Sequence, residues 1–216
     1  MKLRMIFVVV AAVVVGGLAL PAAAHDLYLV TDGSGAGRKV CARVGEHFPD
    51  SMNAMPANRA HLFQARNAGG AQRNSAGAQK ITKLTGVVEE AAKQLCAPLP
   101  GATAADVVEM TVNPMFIRLA AKDFNGYIEG EGFKSVIAAR KAKGATEGEG
   151  RELYSRYTKL LLPGAGQAGT QPLGHVLEIV PEKSPDQVKP GEMLSVRVMF
   201  RGKPLAGVRV SAVYAG

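Results

Sequence analysis

The sequence predicts a mainly β protein with a helical insertion, an α+β chain. Three observations point there. Apolar and polar residues alternate over residues 27–31, 38–44, 107–112, 194–200 and 208–213, the period of a half-buried strand. Gly, Pro, Asn and Asp cluster between these runs as turn chemistry, for example Asp32-Gly33-Ser34-Gly35. Helical spacing is confined to the middle of the chain, between residues 81 and 161.

The amino end precedes the fold. Lys2 and Arg4 lead an apolar stretch that runs to Leu20, and Pro21 and Ala22-Ala23-Ala24 follow. A positive start, a short apolar run and small residues at a cut site make a secretory signal over residues 1–24. A membrane span needs about 20 apolar residues, so an uncleaved anchor is the lesser alternative. The expected compartment is the periplasm, with no membrane span after cleavage. Removing residues 1–24 takes away Lys2 and Arg4 from a net charge of +8. The remaining basic residues are scattered and carry no recognition motif, so nucleic acid is not expected as a partner. In an oxidising compartment Cys41 and Cys96 are expected to pair, with two buried thiols as the alternative.

The chain then reads in order. Strands are expected at 27–31 and 38–44, with Val40, Ala42 and Val44 on one face. A loop at 51–57 holds Met52 and Met55, and a strand is expected at 58–64. Residues 67–79 have little to bury and read as a loop. Ile81, Leu84, Val87, Val88, Ala91, Ala92 and Leu95 fall at helical spacing, although Gly86 leaves strand pieces open. Strands at 107–112 and 115–119 flank Asn113-Pro114. Asp123 is placed to cap a helix through Ile128. Glu129-Gly130-Glu131-Gly132 breaks it, and a second helix follows to Gly144. Thr146 and Glu149 have capping-box spacing, ahead of a stripe at Leu153, Tyr157, Leu160 and Leu161 whose end could also be a strand. Residues 163–174 read as a linker between a first domain, 25–162, and a second module, 175–216. That module offers three short strands, too few to close a sandwich, so it reads as incomplete.

His25 carries the chemistry expected of the mature chain. Cleavage would give it an α-amine of pKa about 8 beside its imidazole, and two such nitrogens suit nickel, copper or cobalt. One residue cannot hold a metal firmly. His47, His61 and Asp26 are the further candidate ligands. Met52 and Met55 would favour copper, and read more simply as gap fillers. Glu129 and Glu131 read as an acidic turn. Arg151, Arg156 and Lys159 read as one side of a helix. His175 would reach the first domain only if the second module packed against it. No nucleophile elbow, phosphate loop, Cys-x-x-Cys or His-Glu-x-x-His motif occurs, so a common enzyme class is not expected.

Several stretches resemble a secreted bacterial family of largely unknown function linked to nickel or cobalt uptake, the NikM-like proteins. They include His25-Asp26-Leu27-Tyr28-Leu29, Arg43-Val44-Gly45-Glu46-His47-Phe48 and Phe124-Asn125-Gly126-Tyr127 with Glu129 and Glu131. Arg151 to Lys159, Leu177 to Pro181, Lys189-Pro190-Gly191 and Gly202 to Gly207 follow in order. The resemblance implies a β-sandwich front domain with a helical insertion, then an immunoglobulin-like module. It also implies an accessory of metal uptake, whose partner would be an inner-membrane transporter or another envelope protein. The alternative is an envelope interaction module without metal.

Overall fold

A computed structural model describes residues 25–67, 80–99 and 106–213. The expected signal at 1–24 and most of the loop expected at 67–79 lie outside the described residues. Two four-stranded antiparallel sheets share one core. The first has the order β1 (Asp26–Asp32), β2 (Lys39–Gly45), β6 (Gln94–Pro98), β5 (Val87–Glu89). The second has the order β10 (Tyr157–Leu161), β7 (Val107–Val112), β3 (Ala60–Asn67), β4 (Lys80–Lys83). Alternation puts Leu29, Val40, Ala42, Leu95 and Ala97 of the first sheet on one face. They meet Phe63, Ala65, Val108, Met110 and Val112 of the second in a single buried cluster that Met55 and Leu84 complete. Burying each Leu, Val, Phe or Met side chain among them contributes about 1.5–3 kcal/mol. On the outer face of the first sheet a disulfide joins Cys41 to Cys96, which are directly opposed in the β2–β6 register.

A two-stranded ribbon, β8 (Met115–Leu119) and β9 (Gly150–Tyr154), carries the helical insertion. The helices are α1 (Ala121–Gly130) and α2 (Lys134–Ala142). Phe124 and Ile128 are the buried residues of α1. Phe124 packs where Gly150 has no side chain: a Cβ there would lie 1.8 Å from the ring. A third, three-stranded sheet ends the described chain, in the order β11 (Leu177–Pro181), β12 (Val196–Phe200), β13 (Lys203–Pro204).

Several expectations are corrected. Residues 81–95 are not one helix but β4, β5 and the start of β6. Leu84 and Leu95 enter the core while Ile81 and Val87 are at least half exposed, so the apolar stripe never forms one face. Gly86 is needed because a Cβ would lie 2.8 Å from the Leu95 side chain, and Lys93 turns the chain at φ 52°. The stripe from Leu153 to Leu161 is not a helix either: it is the end of β9 and all of β10, the strand that its end left open. Glu149 caps nothing and pairs with Arg151 at 2.7 Å. Arg151, Arg156 and Lys159 therefore share no helix face. Asp123 sits in the first turn of α1, whose N-cap is Ala120 without a side-chain bond. Finally, residues 208–213 have no strand partner among the described residues, and Val208, Val210 and Val213 are exposed. That segment instead reaches back to the insertion, where Arg209 donates to the Gly130 carbonyl at 3.0 Å.

Candidate functional site

The amino end of β1 gathers part of the expected donor set. Asp26 opens β1 opposite Gly45 of β2. The next step of that register sets His25 across from Glu46, with the imidazole Nε2 4.0 Å from the carboxylate. Both side chains are about a third exposed. His47 follows in an exposed turn, and its carbonyl accepts a hydrogen bond from the Tyr28 hydroxyl at 3.1 Å. Tyr28 also bonds the Asp50 carbonyl and meets the Phe48 ring edge-on, which ties this turn to β1. His61 lies elsewhere, on β3 of the second sheet. Among the described residues no group of three or more His, Cys, Asp or Glu side chains forms a metal cage. Glu46 is the donor that sequence reading missed, and strand register is what reveals it.

A denser polar arrangement lies on the outer face of the second sheet. Register and alternation stack three cross-strand rows there: Leu62, Thr111 and Tyr157; Gln64, Glu109 and Lys159; Arg66, Val107 and Leu161. The chain from Leu173 to Val180 covers the middle row, with His175 on Glu109 and Glu178 on Lys159. Glu109 is fully buried. One carboxylate oxygen accepts from Gln64 at 2.6 Å and from the Arg66 guanidinium. The other lies 2.7 Å from His175 Nε2. Burial by itself would raise the Glu109 carboxyl. The hydrogen bonds of His175, Arg66 and Gln64, with the Arg66 charge, outweigh it and hold the group below the usual carboxylate range. Glu178 is its neighbour in kind. Burial would raise it, but the Lys159 ammonium at 2.8 Å and the backbone N–H groups of Leu173 and Gly174 lower it.

The first row stays open. Leu62, Thr111 and Tyr157 lie in a groove of about 570 Å³. It lies where the sandwich, the base of the ribbon at Asn113, Pro114 and Ser155, and the segment 173–176 come together. The His175 ring closes one end, 5.8 Å from the Tyr157 ring between centroids. His61 stands at its rim, at a β-bulge where the β3–β7 register slips between Ala60 and Leu62. Bulges redirect side chains, and they recur beside functional sites.

Sequence reading passed over Glu109 and gave His175 little weight. A signal for Glu109 was present: an acid at the centre of Val107-Val108-Glu109-Met110-Thr111-Val112, on the face opposite the core residues Val108, Met110 and Val112. Nothing local reveals that a segment 66 residues later covers it.

The architecture is thus a β-rich scaffold of four sheets with a small helical insertion, bearing an outer-face groove and a charged amino-terminal strand end. Residues 22–216 match a family described as a domain of unknown function, DUF4198, and the chain belongs to that family. No curated protein and no solved structure matches the chain. No helix among the described residues is long and apolar enough to cross a membrane.

Proposed function

We propose that this chain is an exported, non-catalytic accessory of transition-metal handling in the periplasm, serving nickel or cobalt uptake, with copper as the other metal its donors suit. It binds the ion through the mature amino-terminal His25. The observation that carries this reading is Glu46, placed by strand register 4.0 Å from the His25 imidazole. An α-amine, an imidazole and a carboxylate at one strand end fit an ion that takes its other ligands from water or from a partner. They do not fit a closed cage of four side chains, and His61 is on the other sheet. Such an open set suits passing a metal on, for which an inner-membrane transporter is the natural partner. On this reading residues 175–216 belong to an immunoglobulin-like module joined to the front domain through residues 163–174.

Titration of the mature protein with nickel by calorimetry tests this. Adding one residue ahead of His25 converts its amine to an amide and should weaken binding by at least about tenfold, 1.4 kcal/mol. Equal affinity for the two forms would sink the amino-terminal chelate.

A second reading is an envelope interaction module without metal. Leu177, Ile179 and Phe200 favour it, because they share one face of the third sheet and each is more than 40% exposed. Partners captured from envelope extract that persist in a chelator would support it over the first.

A further inference from the structure

One end of the third sheet joins exposed apolar side chains to cations that the fold leaves unanswered. Register and alternation place Leu177, Ile179, Val198 and Phe200 on one face of that sheet, with Lys203 across from Phe200. Leu177 and Phe200 are directly opposed and 45% and 41% exposed, beside the hairpin turn Phe200-Arg201-Gly202-Lys203. The Arg201 backbone N–H donates to the Val176 carbonyl at 2.7 Å, so exposed Val176 joins the same tip.

The charge at this tip has one sign. Elsewhere in the module Lys183, Arg197 and Arg209 each meet an acid: Glu192, Glu182 and Glu131 in turn. Arg201 and Lys203 have no acidic partner among the described residues, and the Arg201 guanidinium lies 5.2 Å from the centre of the Phe200 ring. The turn holds Arg201 in the left-handed region, at φ 49° ahead of Gly202 at φ 75°. Two-residue hairpin turns of this hand favour Asn-Gly, and a long side chain there is strained. A cation kept at a position that suits it badly points to a use for its charge.

We infer that this tip docks the protein on an anionic lipid bilayer, with Leu177 and Phe200 entering the acyl boundary and Arg201 and Lys203 at the phosphate headgroups. Apolar groups at that boundary with cations above them let a protein lie on a membrane without spanning it. Each cation near such a surface adds attraction, and its long stem reaches the headgroups while the ring beside it leaves water. An acidic protein would match the charge. However, hot spots between proteins sit in closely packed pockets, whereas a hairpin tip projects. The inference rests on the interaction reading above, names lipid as its partner, and does not depend on His25.

Vesicles test it on the full exported chain, from His25 onward. The chain has no tryptophan, so Leu177→Trp gives the tip its own fluorophore. With vesicles of phosphatidylcholine and phosphatidylglycerol, three to one, the unaltered chain should sediment with the lipid and the Leu177→Trp emission should shift to the blue. Binding to phosphatidylcholine alone should be at least about tenfold weaker. Raising salt from about 0.1 to 1 M, which shrinks the screening length from about 10 to 3 Å, should also weaken it several-fold. Glycine suits the left-handed turn, so Arg201→Gly should keep or raise the unfolding midpoint while vesicle binding falls several-fold. Phe116→Trp, at an exposed position on the ribbon, should keep its emission. No binding to the anionic vesicles, equal binding to both lipids, full binding by Arg201→Gly, or an equal blue shift at Phe116 would each overturn the assignment. Should vesicles fail while an acidic protein is captured through Arg201 and Lys203, lipid docking falls and the interaction reading stands. Should chelator-resistant partners be missing too, both fall.

Discussion

The amino-terminal strand end and the outer face of the second sheet both set histidine beside glutamate, in opposite surroundings. His25 and Glu46 stand 4.0 Å apart and partly in water, where a pair of charges contributes about 0–1 kcal/mol. His175 and Glu109 stand 2.7 Å apart out of water, with Arg66 and Gln64 bonded to the other carboxylate oxygen. The first pair keeps its contact with water, as the proposed metal site requires. The second is committed to holding a segment in place and to fixing one ring nitrogen. The same two residue types are adaptable donors at one end and structural at the other because burial decides what leaving them unpaired costs.

Substitutions can break this contrast, and the largest effect is expected at Glu109. Glu109→Ala strips the buried partner from both Arg66 and His175 and should cost about 3–5 kcal/mol in urea unfolding. A loss under 1 kcal/mol would mean that water reaches this face. Next is Lys159→Met, which removes the ammonium but leaves Glu178 its two backbone donors. About 1–3 kcal/mol should be lost, less than at Glu109.

Acid sharpens the contrast further. Glu109 and Glu178 both have folded pKa values below the ordinary range. Their contribution is therefore complete above the unfolded value of about 4.3 and is lost as pH falls through the lower folded values. Thermal unfolding between pH 7 and pH 3 should show a steep acid limb, shallower in Glu109→Gln. An unchanged slope would remove Glu109 from the acid transition. The smallest effect on stability belongs to the amino end. Glu46→Gln should alter stability by less than about 0.5 kcal/mol yet weaken nickel binding several-fold. A variant that binds nickel as tightly as the parent would remove Glu46 from the donor set.

Legibility in the sequence followed the range of the forces involved. The strands β1, β2 and β7 were readable because alternation of Leu29, Val40, Ala42, Val108 and Met110 directly reports a face turned to a core. Residues 81–95 misled because their apolar residues also fit a 3.6-residue period. The contest was settled by long-range pairing of β5 and β6 and by Leu95 pressing on Gly86. Gly150 gave no local hint of its role, since the reason for it is the ring of Phe124, far back in the chain on α1. In the candidate sites, His25 and Asp26 were visible as residue types beside an expected cut. Glu46 needed strand register, and Glu109 with His175 needed a contact between distant parts of the chain.

Sequence alone determined where strands could form and which residues could face a core. These follow from local periodicity and from side-chain chemistry that each residue carries wherever it lies. The tertiary structure decided which acid meets which base, which glycine must stay bare, and which polar groups leave water. Those outcomes depend on removing particular groups from water together, and only the packing of distant segments determines which groups are removed.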